Sequence, residues 1–230
     1  MEQKYNQFYN ASLRKEDFKD VQVGRWPKDR VQAILSVAGG GESILDIGCG
    51  SGHLLYQFRH RFKNLVGLEY SQHRLDQAQI NLQEFSFTPI HGTAENLSAV
   101  RSNSIDRIVS ADTIEHIPDV YEALGEMHRV LKPGGLLVIN TPNIAFLKKR
   151  VLLLMGRFPS TSQSNEGLGS DILFDGGHLH YFTFRSLRLL LERFGFRMVR
   201  HMGYGRFGAA HNFWPTLLSG GVQWIANKDL

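Results

Sequence analysis

The sequence predicts an α/β fold, built on a doubly wound and mainly parallel sheet with helices on both faces. Three observations lead to this prediction. Short apolar runs of β type alternate with helical patterns from Ser43 onwards. The first of these runs ends in a turn with alternating glycines at positions 48, 50 and 52, and a helical pattern follows at once. The 230 residues, of which 42% are hydrophobic, fit one domain with a substantial core.

The cofactor-binding core is predicted to occupy residues 43–141, as a series of strand–helix units. The predicted strands are 43–48, 64–69, 88–91, 105–110 and 135–141, and the predicted helices are 52–61, 71–85 and 119–131. Ser71 is the expected N-cap of the second helix. Ligands of such sheets bind beyond the carboxyl ends of the strands, where these units place their glycines and acids.

Three further segments complete the predicted single domain of residues 1–230. Residues 1–42 are interpreted as an N-terminal helical cap, which either covers the ligand side or packs for stability. Residues 142–182 interrupt the rhythm with a basic amphipathic helix at 143–158 and a polar loop. We interpret this insertion as a lid over the substrate, the alternative being contact of its helix with an anionic membrane surface.

Residues 183–230 resume the alternation of helices and strands. Thr183 is expected to cap a helix over 184–194, and strands are predicted at 196–201 and 221–226.

Composition narrows the function classes. The net charge is +4, and the sequence contains no long Lys/Arg run. This charge pattern favours an ordinary solvated surface over nucleic-acid binding. The single cysteine, Cys49, excludes internal disulfides, and no Cys/His cluster suggests structural zinc. The N-terminus has no signal-peptide core, and the longest apolar run, 151–155, is too short to span a bilayer. We therefore expect a cytoplasmic protein without membrane contact or nucleic-acid partner, and the oligomeric state stays open.

The spacing of the glycine turn separates two classes of ligand. A dinucleotide fingerprint needs its third glycine at position 53, which is His53, whereas here it falls at Gly52. Two acids bracket the turn, Asp46 inside the first strand and Glu69, 23 residues later, at the end of the second. An acid within the strand suits a cationic, amino-acid-like ligand better than a pyrophosphate. A tight turn that binds nothing is the alternative.

The acid followed by G-x-G-x-G at residues 46–52 resembles the first motif of the class I S-adenosylmethionine-dependent methyltransferases. Five later segments also resemble motifs of this family, so that the resemblance covers roughly residues 30–200: 91–97, 105–112, Glu115-His116, 130–136 and 177–183. The Glu115-His116 pair is similar to one found in small-molecule methyltransferases, including those of ubiquinone biosynthesis. The resemblance implies a seven-stranded, Rossmann-like sheet and S-adenosyl-L-methionine as the cofactor.

The resemblance also implies roles for individual residues. Glu69 would accept both ribose hydroxyls, and Asp46 would orient the turn or meet the cofactor's ammonium group through water. Thr93 stands where the family usually has the adenine-binding Asp, so the Ala94 backbone and Glu95 would take over that contact. The end of the fourth strand would receive the methionine part. The candidate cofactor-binding residues are Asp46, Gly48, Cys49, Gly50, Gly52, Glu69, Tyr70, Thr93, Ala94, Glu95, Ala111 and Asp112.

His116 is the first candidate for a general base, because an imidazole titrates near neutral pH and this one follows a strand's carboxyl end. A histidine that packs against the cofactor or bonds a backbone carbonyl is the alternative. His178 and His180 are further candidates, which would face the same side of an extended segment. The histidines together with Glu115 could form a metal site, but we predict none.

The sequence thus predicts methyl transfer from S-adenosylmethionine to a small-molecule acceptor, with oxygen as the favoured atom. The alternatives are N- or C-methylation by the same fold, or a nucleotide-cofactor-binding α/β protein without methyl transfer. The identity of the acceptor is open.

Overall fold

The computed structural model describes residues 18–162, 167–168, 171–172 and 177–229. Within these residues the strands of the main sheet are β1 (Gly41–Ile47), β2 (Phe62–Glu69), β3 (Phe87–His91), β4 (Ile105–Ala111), β5 (Leu131–Pro142), β6 (Phe196–Met202) and β7 (Gly221–Lys228). The α-helices are α1 (Arg30–Leu35), α2 (His53–Phe58), α3 (Gln72–Asn81), α4 (Val120–Val130), α5 (Leu147–Leu154), α6 (Phe184–Arg193), α7 (Ala210–Phe213) and α8 (Pro215–Leu218). A 3₁₀ turn covers Ile114–His116, and the two-residue strands Gly167–Leu168 and Asp171–Ile172 pair with each other.

The main sheet of the described residues has seven strands in the order β3-β2-β1-β4-β5-β7-β6. Strands β1 to β5 run parallel, and β7 is antiparallel to both of its neighbours, β5 and β6. The predicted fold class, a doubly wound and mainly parallel sheet, is therefore confirmed. The strand order reverses between β1 and β4, so a ligand crevice is expected at their carboxyl ends.

Each face of the sheet is covered by its own apolar cluster. Consecutive residues of β1 alternate between them, since Ile44 packs in one cluster and Leu45 in the other. Helices α4 and α6 cover one face, and α1, α2 and α3 cover the other. Because β1 is buried on both faces, it appears in the sequence as a nearly continuous apolar run.

Local capping agrees with the sequence. The Thr183 hydroxyl accepts the amide N–H of Ser186, and the Ser186 side chain is bonded by the amide N–H of Thr183, which makes a complete capping box at α6. Ser71 caps α3 by accepting the amide N–H of Arg74. The two predicted N-caps are confirmed.

The predicted N-terminal helical cap is wrong for residues 18–29, which are not helical. The backbone of this segment bonds the side-chain amide of Gln57, which accepts from the Val21 amide (2.9 Å) and donates to the Lys19 carbonyl (2.9 Å). Helix formation begins only after Asp29, which caps α1. Residues 1–17 of the predicted cap lie outside the described residues.

The basic helix predicted at 143–158 is shorter in the structure, where α5 covers Leu147–Leu154. Residues 143–146, where the helix was predicted to start, are not helical. The buried Asn143 side chain instead donates to the carbonyls of Thr216 (3.2 Å) and Ser219 (2.9 Å). Part of the polar loop that follows lies outside the described residues. Among the described helices, none combines the length and the apolar character needed to cross a membrane.

Candidate active site

A cavity of about 830 Å³ lies at the carboxyl ends of β1, β2, β3 and β4. Ligand sites of this size are typical of small molecules and cofactors. It is lined by most of the residues that the sequence singled out: Asp46, Gly48, Cys49, Gly50, Glu69, Tyr70, Thr93, Ala94, Glu95, Ala111, Asp112, His116 and His178. The folding of four separate strand ends thus brings together residues spread over more than half of the sequence.

The glycine turn forms one wall of the cavity. Gly48 and Gly50 have φ angles of +79° and +55°, which L side chains rarely adopt. A Cβ at Gly48 would lie 2.5 Å from Thr113 Oγ1, so that position must stay without a side chain. A Cβ at Gly50 would meet nothing within 4 Å, which means that the backbone is open to an approaching ligand there.

Glu69 closes β2 and is almost fully buried, with 7% of its surface exposed. Its two carboxylate oxygens are fixed by backbone amides: Gly50 donates to Oε2 and Ser71 donates to Oε1, each at 2.9 Å. Every carboxylate oxygen has two acceptor positions. Both oxygens of Glu69 therefore keep acceptor capacity while the side chain is held in one orientation.

The loop after β3 also lines the cavity. Thr93 is exposed, whereas Ala94 is buried with 5% of its surface accessible. Glu95 accepts the Asp119 amide N–H through Oε1 at 3.3 Å. Its other carboxylate oxygen, Oε2, is buried and has no hydrogen-bond partner among the described residues. A buried acceptor without a partner is costly, which makes it a natural point of contact for a ligand donor.

The segment after β4, which lies against the glycine turn, contributes a charged cluster to the cavity. Asp112 follows β4 with a φ of +49° and forms an ion pair with Arg30 of α1. Glu115 is buried, with 1% exposed, and accepts the Thr141 hydroxyl at 2.9 Å. Burial and the neighbouring negative charge of Asp112 raise the pKa of Glu115 to about 8.

The candidate base lies beside this cluster. His116 Nδ1 bonds the Gly177 carbonyl oxygen at 2.5 Å, which requires Nδ1 to carry the proton. In a neutral ring of this tautomer, Nε2 is the basic nitrogen. The His178 ring packs edge-on against His116, with the ring centroids 4.6 Å apart, and its Nδ1 lies 2.7 Å from Thr161 Oγ1.

A family model described as a methyltransferase domain matches residues 19–201. The chain belongs to this methyltransferase family. The resemblance of its motifs to class I S-adenosylmethionine-dependent enzymes is confirmed, and S-adenosyl-L-methionine is the cofactor of this methyltransferase.

Curated proteins are similar in sequence to about half of this methyltransferase. A ubiquinone biosynthesis O-methyltransferase of Pseudomonas aeruginosa (strain UCBPP-PA14) is 31% identical over 117 residues, which are 50% of this chain and 50% of that protein. A protein of the same name from Actinobacillus pleuropneumoniae serotype 7 (strain AP76) is 29% identical over 135 residues, or 55% of this chain and 57% of that protein. The chain thus spans about half the length of the curated relatives it matches.

Solved structures share its fold. The [4+2]-cyclase SpnF superposes with a TM-score of 0.67 over 100% of this chain and 97% of that chain, at 16% identity. An S-adenosylmethionine-dependent methyltransferase of Mesorhizobium loti gives a TM-score of 0.62 over 86% of this chain and 95% of that chain, at 20% identity. Since the same fold is found in a cyclase, the reaction must be argued from the site.

The residues of this methyltransferase fit its cofactor. The open backbone at Gly50 allows close approach, and the spare acceptor positions of Glu69 suit the two hydroxyls of a ribose. The unpartnered Oε2 of Glu95 suits the amino group of an adenine. The Arg30 guanidinium, at the same cavity, suits a carboxylate.

Two of the predicted site residues do not line the cavity. Gly52 adopts a φ of +86° before α2, where a Cβ would lie 2.9 Å from Leu82 Cδ1, so it serves the packing of α2 near α3. His180 bonds the Ile117 carbonyl through Nε2 at 2.9 Å. That contact holds its segment against the 3₁₀ turn.

Sequence reasoning missed Arg30 as a site residue and named Glu115 only in a motif and in a possible metal site that was not predicted. The ion pair of Arg30 joins residues 82 positions apart, and no local pattern marks it. For Glu115 the available signal was its place beside the candidate base, in the turn after β4.

The structure also brings together three possible ligands of a divalent cation. Side-chain atoms of Glu115, His116 and His178 all lie within 4.8 Å of one another. Carboxylate and imidazole groups at this separation can bind a metal after small side-chain adjustments. The arrangement makes the predicted absence of a metal a point for direct testing.

Proposed function

We propose that this methyltransferase transfers a methyl group to the oxygen of a small-molecule acceptor. The carrying observation is that one cavity brings two kinds of residue together. The glycine turn, Glu69 and Glu95 are suited to a nucleoside, while His116 and His178 line the same cavity with groups suited to proton removal. A hydroxyl acceptor must lose a proton during methylation, which is the work of such a group.

The bound cofactor supplies a methyl group on a positively charged sulfur, a reactive centre that requires alignment with the acceptor more than covalent help from the protein. Glu69, with both oxygens anchored by backbone amides, would orient the ribose. Arg30 would hold the carboxylate of the amino-acid part, and its partner Asp112 would receive the ammonium group. These side chains would together fix the position of the cofactor.

His116 is proposed as the base that takes the acceptor's proton. Its bond to the Gly177 carbonyl keeps the proton on Nδ1 and leaves Nε2 as the basic nitrogen. His178 packs against the same ring and restricts its rotation. No metal is part of this proposal, because an imidazole can accept the proton without one.

The choice of oxygen is supported by the curated relatives, which are named as O-methyltransferases at 31% and 29% identity. Those relatives are matched over about half of their length, so the acceptor that their name indicates is not assigned to this chain. For this chain the proposal is limited to a small molecule with an ionisable hydroxyl.

The test is the release of S-adenosylhomocysteine by the full chain with panels of phenols, amines and activated carbon acids. We expect S-adenosylhomocysteine to be released with the phenol panel. The rate of release should increase as the pH is raised towards the pKa of the acceptor or of the base. Release only with amines or carbon acids would replace O-methylation by N- or C-methylation. Binding of the cofactor without release on any panel would favour a cofactor-binding protein without methyl transfer.

A parallel measurement tests the role of metal. Incubation with EDTA and desalting are expected to leave the release rate unchanged. A loss of activity that added Mg²⁺ or Zn²⁺ restores would assign Glu115, His116 and His178 to a cation and remove the base from the proposal.

A further inference from the structure

Helix α5 exposes the side that helices usually bury. Leu147, Val151 and Leu154 follow each other at intervals of four and three residues, so they share one face of the helix. Their exposed fractions are 45%, 45% and 88%, and no residue of α5 is buried. An amphipathic helix on a globular domain normally turns such a stripe towards the core.

Basic side chains flank this apolar stripe. At 100° per residue, Lys148 lies on one side of it and Arg150 on the other, and both are exposed. No acidic residue occurs between Asn143 and Ser162. An apolar stripe with basic residues along its borders is the pattern of helices that lie in a membrane interface.

A second exposed patch has the same chemistry. Phe207, Phe213 and Trp214 are 76%, 86% and 55% exposed, and Arg206 beside them is exposed as well. Aromatic side chains with a basic neighbour favour the headgroup region, where the ring meets apolar chains and the charge meets phosphate. Single exposed apolar residues are common, but a cluster of large ones marks an interaction surface.

The two patches lie at the same end of the sheet. Asn143, which precedes α5, donates to the carbonyls of Thr216 and Ser219, which follow the aromatic patch. The residues on either side of α5, Pro142 before it and Thr161 after it, both line the cavity. The exposed surface is therefore next to the active site rather than on a remote face.

We propose that α5 and the aromatic patch dock on the surface of an anionic membrane. Charge complementarity favours this occupant over a second copy of the chain, because self-association through this surface would bring its basic residues together without acids to balance them. The docked protein would hold its cavity close to the bilayer. The proposal concerns a surface, and it does not depend on which atom is methylated.

The experiment is flotation of the full chain with vesicles of phosphatidylcholine alone and of phosphatidylcholine with phosphatidylglycerol. We expect binding to the anionic vesicles, weakened by high salt, and little binding to the neutral ones. Lys148→Gln should weaken anionic binding roughly fivefold, as expected for one basic residue near the surface. Leu154→Glu should weaken it by about tenfold or more, since it adds a charge to the apolar stripe.

The matched control is Leu189→Glu on α6, where an apolar side chain is 48% exposed away from both patches. It should leave vesicle binding unchanged, and an unaltered thermal response to S-adenosylhomocysteine would show that each variant is folded. The proposal is overturned if the wild type ignores anionic vesicles, or if Leu154→Glu binds them as the wild type does. A wild-type dimer that Leu154→Glu converts to a monomer, without vesicle binding, would instead make this surface an interface between two copies.

Discussion

At the residue scale, Glu115 and His116 show how adjacent side chains acquire different chemistry. Glu115 points into a buried region next to Asp112, which raises its pKa to about 8. His116 has one nitrogen tied to a backbone carbonyl, so its tautomer is fixed by geometry. The identity of the two residues could be read from the sequence, but the bond of the Glu115 carboxylate to Thr141 and the tautomer that Gly177 fixes on His116 depend on contacts between distant segments.

His116→Gln should lower the turnover number about 100-fold, because general base catalysis usually contributes a factor of that order. The glutamine amide can still donate to the Gly177 carbonyl, so the turn should keep its shape. Affinity for S-adenosylhomocysteine should not change. His73→Gln, at an exposed position of α3, is the control, and full activity of His116→Gln would remove this residue from the mechanism.

At the element scale, the strand–turn–helix unit at β1 and α2 depends on glycines for two separate reasons. Gly48 avoids Thr113, while Gly50 leaves space for a ligand. The alternation of strands and helices, the two N-caps and the glycine turn could all be predicted, because each is marked by a local sequence pattern. The extended segment 18–29 could not, since Gln57 of a distant helix holds it.

Gly48→Ala should destabilise the protein by about 1–2 kcal/mol from the left-handed backbone alone, and the contact with Thr113 should add to that cost. Combining it with Thr113→Ala should recover the second part only. Urea unfolding measures both. Gly125→Ala within α4, where a Cβ meets nothing within 4 Å, should instead stabilise by about 0.5–1 kcal/mol, and equal losses at the two glycines would contradict the explanation.

At the scale of the whole molecule, an apolar cluster packs on each face of the sheet, and stability also depends on the bonds that hold the helices to the strands. Lys228 at the end of β7 donates to the carbonyls of His128 and Leu131 and so ties this strand to α4 and to the start of β5. The same packing lowers the pKa of His128, first through burial and then through the charge of Lys228. Such long-range attachments were beyond sequence reasoning, like the ion pair of Arg30.

The lowered pKa of His128 predicts a pH dependence of the free energy of unfolding. The unfolded chain protonates this histidine near its ordinary value of 6.5, before the folded protein does, so stability should fall as the pH drops through 6.5 towards the folded pKa. Urea unfolding at about pH 8 and about pH 5.5 measures this loss. His128→Gln should lose less stability over that interval than the wild type, and identical losses would show that another group is responsible.

The most direct test of the central claim, that the cavity beside the glycine turn binds the nucleoside through Glu69, is calorimetric titration of the full chain with S-adenosylhomocysteine. The wild type should bind, and Glu69→Ala should bind at least about tenfold more weakly, because two hydrogen bonds to a charged acceptor are lost. Glu84→Gln, which changes an exposed carboxylate, should bind as the wild type does. Absence of binding by the folded wild type, or undiminished affinity in folded Glu69→Ala, would contradict the account.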